Sequence, residues 1–136
     1  MQDSFVGTWE LNVGKSEFDA NHRPSAGTMV FELDAQGYYL MTAEGRNDKG
    51  EKVAERPTRF IPDGKAHPIP DFPGLITVHT CPDPNTIAGE ARRADGSVVG
   101  GGTYIVSEDG KTLTATTSGW DSQLRQFKLR TVWDRQ

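Results

Sequence analysis

The sequence predicts an all-β fold, a single antiparallel up-and-down barrel of about 8–10 strands with at most one or two short helices, residues 1–136 forming one domain. Three observations carry this prediction. Turn signals recur at hairpin spacing, at Gln36-Gly37, Lys49-Gly50, Asp63-Gly64, Asp95-Gly96 and Asp109-Gly110, and such pairs supply the positive φ of tight turns. Between them, β-branched and aromatic residues alternate with polar ones in a period of two. Only Asn12 to Gly27 and Asp63 to Gly74 are long connections, whereas the competing Greek-key sandwich needs long crossovers.

The first strand is Phe5 to Leu11, which carries Gly7-Thr8-Trp9. Strands then follow at Thr28 to Leu33, Tyr38 to Ala43, Val53 to Ile61 and Leu75 to Thr80. The remainder are Thr86 to Arg93, Val98 to Ser107, Thr112 to Thr117 and Gln126 to Asp134. The last has the cleanest alternation, Phe127, Leu129, Thr131 and Trp133 against Lys128, Arg130, Val132 and Asp134, so one face is wet and the other covered. No window holds an apolar i, i+3, i+4, i+7 pattern, which confines any helix to a short one within Lys15 to Ala26.

A chain of 136 residues buries roughly two-thirds of the surface that it exposes when unfolded. A net charge of −4, from 15 basic and 19 acidic residues, gives no phosphate-binding field, so nucleic acid is not an expected partner. No apolar run approaches the roughly 20 residues of a spanning helix, and no membrane insertion is expected. Cys81 is the only cysteine, which excludes an intrachain disulfide and a Cys-rich zinc site. Met1-Gln2-Asp3 leads directly into the first strand, as when a start codon replaces an upstream targeting segment. The expected location is secreted or periplasmic, with the cytoplasm as alternative, and the expected assembly a monomer or homodimer.

The stretch Phe5-Val6-Gly7-Thr8-Trp9-Glu10-Leu11 resembles the first-strand motif of lipocalins and fatty-acid-binding proteins, the calycin group of ligand-carrying barrels. More closely, the chain resembles a family of small bacterial lipocalin-like proteins without an assigned role. The matching stretches are Phe5 to Asn12 with Lys15-Ser16, Asp63-Gly64-Lys65 with Pro68 downstream, Asn85-Thr86-Ile87, and Val106 to Thr114. The resemblance implies that Trp9, with Gly7, closes the barrel floor beneath an arginine late in the last strand, Arg130 or Arg135. A guanidinium over indole contributes on the order of 0.5–2 kcal/mol.

A small barrel is either filled by side chains or holds one ligand cavity. An apolar content of 35% is modest, so the interior is expected to be partly polar. Phe31, Tyr39 (or Tyr38), Phe60, Tyr104 and Phe127 are core candidates that also supply ligand contacts, and Trp120 is a hairpin-tip lid or contact residue. His79, in Ile76-Thr77-Val78-His79-Thr80, either faces solvent or is the sole imidazole in a polar lumen, and the solvent-facing reading is preferred. His67 sits in a Pro-rich loop beside Asp71, where an imidazole and a carboxylate could form an acid/base pair. His22, His67 and His79 have no mutual ligand spacing, so no metal and no cofactor are expected.

No Gly-x-Ser-x-Gly elbow exists, and Cys81 precedes Pro82 at a strand end without a local histidine. Gly100-Gly101-Gly102 lacks the following Lys-Ser/Thr of a phosphate loop and reads as a bulge or strand bend that lets the barrel close. Arg56, Arg59, Arg92 and Arg125 read as solvated strand residues; one pointing inward would mark an anionic ligand or a paired carboxylate such as Glu55 or Glu90. The expected function is binding of a small hydrophobic or amphipathic molecule. The alternatives are an isomerase, cyclase or lyase with His79 or His67 as proton carrier, and a filled structural or envelope-associated barrel.

Overall fold

The computed structural model describes residues 4–17, 25–47, 49–54, 57–69, 73–120 and 126–136. Among these residues eleven antiparallel strands form one sheet. They are β1 (Gly7–Leu11), β2 (Ala26–Leu33), β3 (Tyr39–Arg46), β4 (Lys52–Ala54), β5 (Thr58–Phe60), β6 (Ala66–Pro68), β7 (Leu75–Asp83), β8 (Thr86–Arg93), β9 (Val98–Val106), β10 (Thr112–Trp120) and β11 (Gln126–Arg135). The sheet runs β4-β3-β2-β1-β11-β10-β9-β8-β7-β6, with β5 also on β3, so first and last strands meet and the meander curls into a barrel.

The glycines of all five turn signals have positive φ, and the N–H groups of Gly37, Gly50, Gly96 and Gly110 close their own turns, whereas that of Gly64 donates to the His79 carbonyl. At the β9–β10 hairpin the Gly110 N–H donates to the Ser107 carbonyl at 2.9 Å. There the Asp109 carboxylate accepts from the Lys111 N–H at 3.0 Å and from the Ser107 hydroxyl at 2.6 Å, an Asx-type lock on the turn.

Two local differences from the sequence reading concern the sheet edges. The run Val53 to Ile61 is not one strand: β4 lies beside Glu44–Arg46, and β5 lies beside Tyr39–Met41. Inside the Pro-rich connection, Ala66, His67 and Pro68 pair with Val78, Thr77 and Ile76 as the short strand β6. Proline is tolerated there because an edge strand need not donate to a second ladder. Among the described residues no ladder joins β4 or β5 to β6, which leaves a seam in the wall.

A 3-10 turn at Val13–Lys15, capped by the Asn12 side chain accepting from the Lys15 N–H at 3.1 Å, ends at the first residue of the segment Lys15 to Ala26 where a helix was expected; of that segment residues 18–24, with His22, lie outside the described residues. Next to this turn, the Ser16 hydroxyl accepts the Val132 N–H at 2.8 Å and Val132 is buried. That burial interrupts the wet-face pattern of β11, where Lys128 and Arg130 stay exposed.

The core is a single cluster of Phe5, Trp9, Met29, Phe31, Tyr39, Phe60, Ile87, Val106, Leu113 and Ala115. Register explains the choice, since directly opposed residues share a face and Trp9 faces Met29, while Leu113 faces Val106. Burying a side chain such as Ile87 or Leu113 completely contributes on the order of 1.5–3 kcal/mol.

Candidate ligand-binding site

One end of the barrel is closed around Trp9, which is fully buried and donates its indole N–H to the Phe5 carbonyl at 3.0 Å. The Arg135 guanidinium carbon lies 4.2 Å from the Trp9 ring centroid. Its N–H groups donate to the carbonyls of Ser4 at 2.5 Å, Val6 at 2.9 Å and Gly110 at 2.6 Å. Arg130 is not the floor arginine: it opposes Thr116 on the outer face, is exposed, and exchanges backbone bonds with Glu17. Arg135 opposes Trp9 directly, which fixes its side of the sheet. Gly7 is needed here, because its φ is +140° and a Cβ would come within 2.6 Å of an Arg135 terminal nitrogen.

From this floor the inward residues can be followed strand by strand through the register. One row is Thr131, Ala115, Tyr104 and Ile87 across β11, β10, β9 and β8. The next is Leu129, Thr117, Gly102, Gly89 and His79, and the third Gly119, Gly100, Ala91, Thr77 and His67. Beyond the first row Gly102, Gly119, Gly100 and Ala91 carry no more than a methyl group, so the wall of β8, β9 and β10 is thin there, while the His79 ring covers Gly89.

The glycine run on β9 is a close-approach device. A Cβ on Gly102 would sit 2.5 Å from the Thr116 carbonyl oxygen, and one on Gly101 would sit 2.8 Å from that of Gly89. Opposite it, the β8–β9 register shifts between Ala91 and Arg92. Glu90 and Arg92 pair with each other on the outer face, and Arg59 pairs with Asp34 at 3.1 Å while lying over the Tyr38 ring. Arg56, Glu55 and Arg125 lie outside the described residues.

The aromatic candidates divide by depth. Phe31, Tyr39 and Phe60 are buried and interlock with Phe5 through ring contacts with centroids 5.5–6.4 Å apart. Tyr104 meets Phe31 edge-on at 5.9 Å and is half-buried at the boundary between floor and cup. The backbones of Trp120 and Phe127 lie on β10 and β11, Trp120 as the last residue of its strand, but their side chains lie outside what the structure describes.

His79 does not face solvent as its flanking residues suggested. Its ring stacks on Phe60 with centroids 4.5 Å apart and planes 23° apart. On β8, the register partner Gly89 has no side chain, and a Cβ there would meet the imidazole at 2.5 Å. Burial lowers the His79 pKa below its ordinary value of 6.5, positive charge at His67 adds to this, and Asp63 opposes it.

His67 shares that inward face, so His79 is not the sole imidazole on it. Its Nε2 lies 3.1 Å from each carboxylate oxygen of Asp63, four residues upstream; Asp71 lies outside the described residues. The Asp63 carboxyl is held below its usual range chiefly by the Lys65 N–H, and His67 contributes. Such a pair can accept or deliver a proton at the barrel wall. Among the described residues no three His, Cys, Asp or Glu side chains converge as metal ligands.

A cleft of about 210 Å³ opens on the rim between β2, β3 and β4, lined by residues such as Gly27, Glu44, Gly45, Arg46 and Lys52. It is polar and smaller than the roughly 300–1,000 Å³ usual for small-molecule sites, so the inward face of the cup is the better candidate.

No family model and no curated protein sequence matches the chain. Solved structures do. The fluorescent protein UnaG is 13% identical over all of both chains, with a TM-score of 0.64. The zebrafish ileal bile acid-binding protein complexed with cholic acid is 12% identical over 98% of this chain and 99% of its own, with a TM-score of 0.57. As-p18, an extracellular fatty acid binding protein, is 15% identical over 98% of this chain and 97% of its own, at 0.54. The fold is therefore that of the calycin group, and identities this low establish the fold alone.

Proposed function

We propose that the chain is a small lipocalin-like carrier that holds a hydrophobic or amphipathic molecule in the open half of the barrel. The observation that carries this reading is the change of residue size along the inward face: large buried side chains around Trp9, then Gly102, Gly100 and Ala91 toward the mouth. Similarity to a bile acid-binding and a fatty acid binding protein supports it. Apolar burial would drive binding at about 25 cal/mol per Å². Thr77, Thr131, Tyr104 and His79 share the inward face and would orient a polar group of the ligand.

The test is titration of the full chain with the environment-sensitive dye 1-anilinonaphthalene-8-sulfonate, with oleate and cholate as competitors. Ala91→Phe, on the inward face, is expected to weaken dye binding at least about tenfold, or about 1.4 kcal/mol. Ala88→Phe, on the outer face, is expected to leave it unchanged. Equal dye affinity for Ala91→Phe and the parent would remove the cup as the binding site.

A further inference from the structure

We infer that the seam between β5 and β6 is a pH-sensitive gate into the cup, latched by the His79 ring stacked on Phe60. The inference rests on the ligand-binding reading for its purpose but not for its mechanism. No ladder crosses the seam among the described residues, so side chains and single hydrogen bonds must hold it. Phe60 belongs to β5 and His79 to β7, and their rings stack at 4.5 Å. Behind Phe60 lies Tyr39 of β3, stacked at 5.5 Å, so one row of rings runs from β3 across the seam to β7. In the β5–β6 connection the Gly64 N–H donates to the His79 carbonyl at 2.9 Å. Ring and carbonyl of one residue thus hold both sides.

The groups around this latch set its direction. From β6 comes His67, and from the β5–β6 connection come Asp63, bonded to His67, and Lys65. On β5, Arg59 is tied to Asp34, and on β8 Glu90 and Arg92 pair on the outer face behind Gly89. A proton added to the closed latch must be accommodated on a half-buried ring between Phe60 and Gly89, near the His67 imidazole. Opening exposes the ring and restores its ordinary affinity for the proton. The open state therefore binds more protons, and the closed state loses stability as pH falls through about 6.5. Attraction of an imidazolium for the Phe60 face acts the other way, and titration of His79 measures the net.

Amide exchange at Gly64, corrected for its intrinsic rate, reads the gate in the full chain without any ligand. Between about pH 7.5 and about pH 5.5 its protection is expected to fall several-fold, with a ceiling of about tenfold for the one pH unit below 6.5. In His79→Phe, which keeps a ring but cannot titrate, protection is expected to stay flat. In His67→Gln, which removes the neighbouring imidazole, the slope is expected to be shallower, and this variant serves if the first does not fold. Flat protection in the parent chain, or a His79 that titrates at or above 6.5, would overturn the gate. Association of 1-anilinonaphthalene-8-sulfonate separates the two readings. Dye that never binds beside a persistent exchange slope sinks the carrier alone, and dye that binds beside flat protection sinks the gate alone.

Discussion

Arg135 covers the Trp9 indole and satisfies the carbonyls of Ser4, Val6 and Gly110, tying the N-terminal segment and the β9–β10 turn to the last strand. Removing it strands three acceptors as well as losing a cation–π contact. Arg135→Met is expected to lower unfolding free energy in urea by on the order of 2–3 kcal/mol. Arg130→Ala, on the exposed outer face, is expected to stay within about 0.5 kcal/mol. Both arginines were legible as partners for Trp9, because both lie near the end of the last strand. Parity decided between them, and parity belongs to the pairing of β1 with β11. His79 carries the same lesson. Its alternation with Ile76 and Val78 was plain in the sequence, but its role follows from a missing side chain on another strand, at Gly89.

Among the elements, β9 depends most on having no side chains at particular points. A branched residue at Gly102 would drive its Cβ into the Thr116 carbonyl, where backbone and not a flexible side chain must yield. Gly102→Val is expected to cost on the order of 1–3 kcal/mol in thermal unfolding, with Thr103→Val, on the opposite face, near neutral. The sequence marked this run as a bend and not a phosphate loop, from the absent Lys-Ser/Thr. It could not show the register slip at Ala91/Arg92 across from it. Nor could it divide Val53 to Ile61 into β4 and β5 or reveal β6, since edge pairings of three residues depend on what lies beside them.

For the whole molecule, two groups of titrating side chains separate loosening from unfolding. The turn carboxylates Asp34, Asp63, Asp95 and Asp109 all have pKa values below the ordinary 3.8, the first two chiefly through backbone N–H groups and the last two chiefly through serine side chains. A lowered carboxylate pKa contributes stability that is present above the unfolded value and lost as pH falls through the folded one. Urea midpoints are therefore expected to be insensitive to these four groups above pH 3.8 and to decline below it. Asp109→Asn should flatten part of that decline. The His79 gate responds near pH 6.5 and below, so a carrier of this design would loosen its seam while the barrel still stands.

The sequence by itself determined an all-β meander closed into a barrel, because turn glycines and period-two alternation are local properties of the chain. Trp9 at the floor was implied by the resemblance of its first strand to the calycin motif. The tertiary structure decided which half of each alternation faces inward, which arginine reaches Trp9, that His67 meets Asp63, and that His79 spans a seam. The physical reason is that a period of two specifies two faces without saying which one is enclosed. That choice is made only when β11 docks on β1 and each register, bulges included, is passed round the sheet.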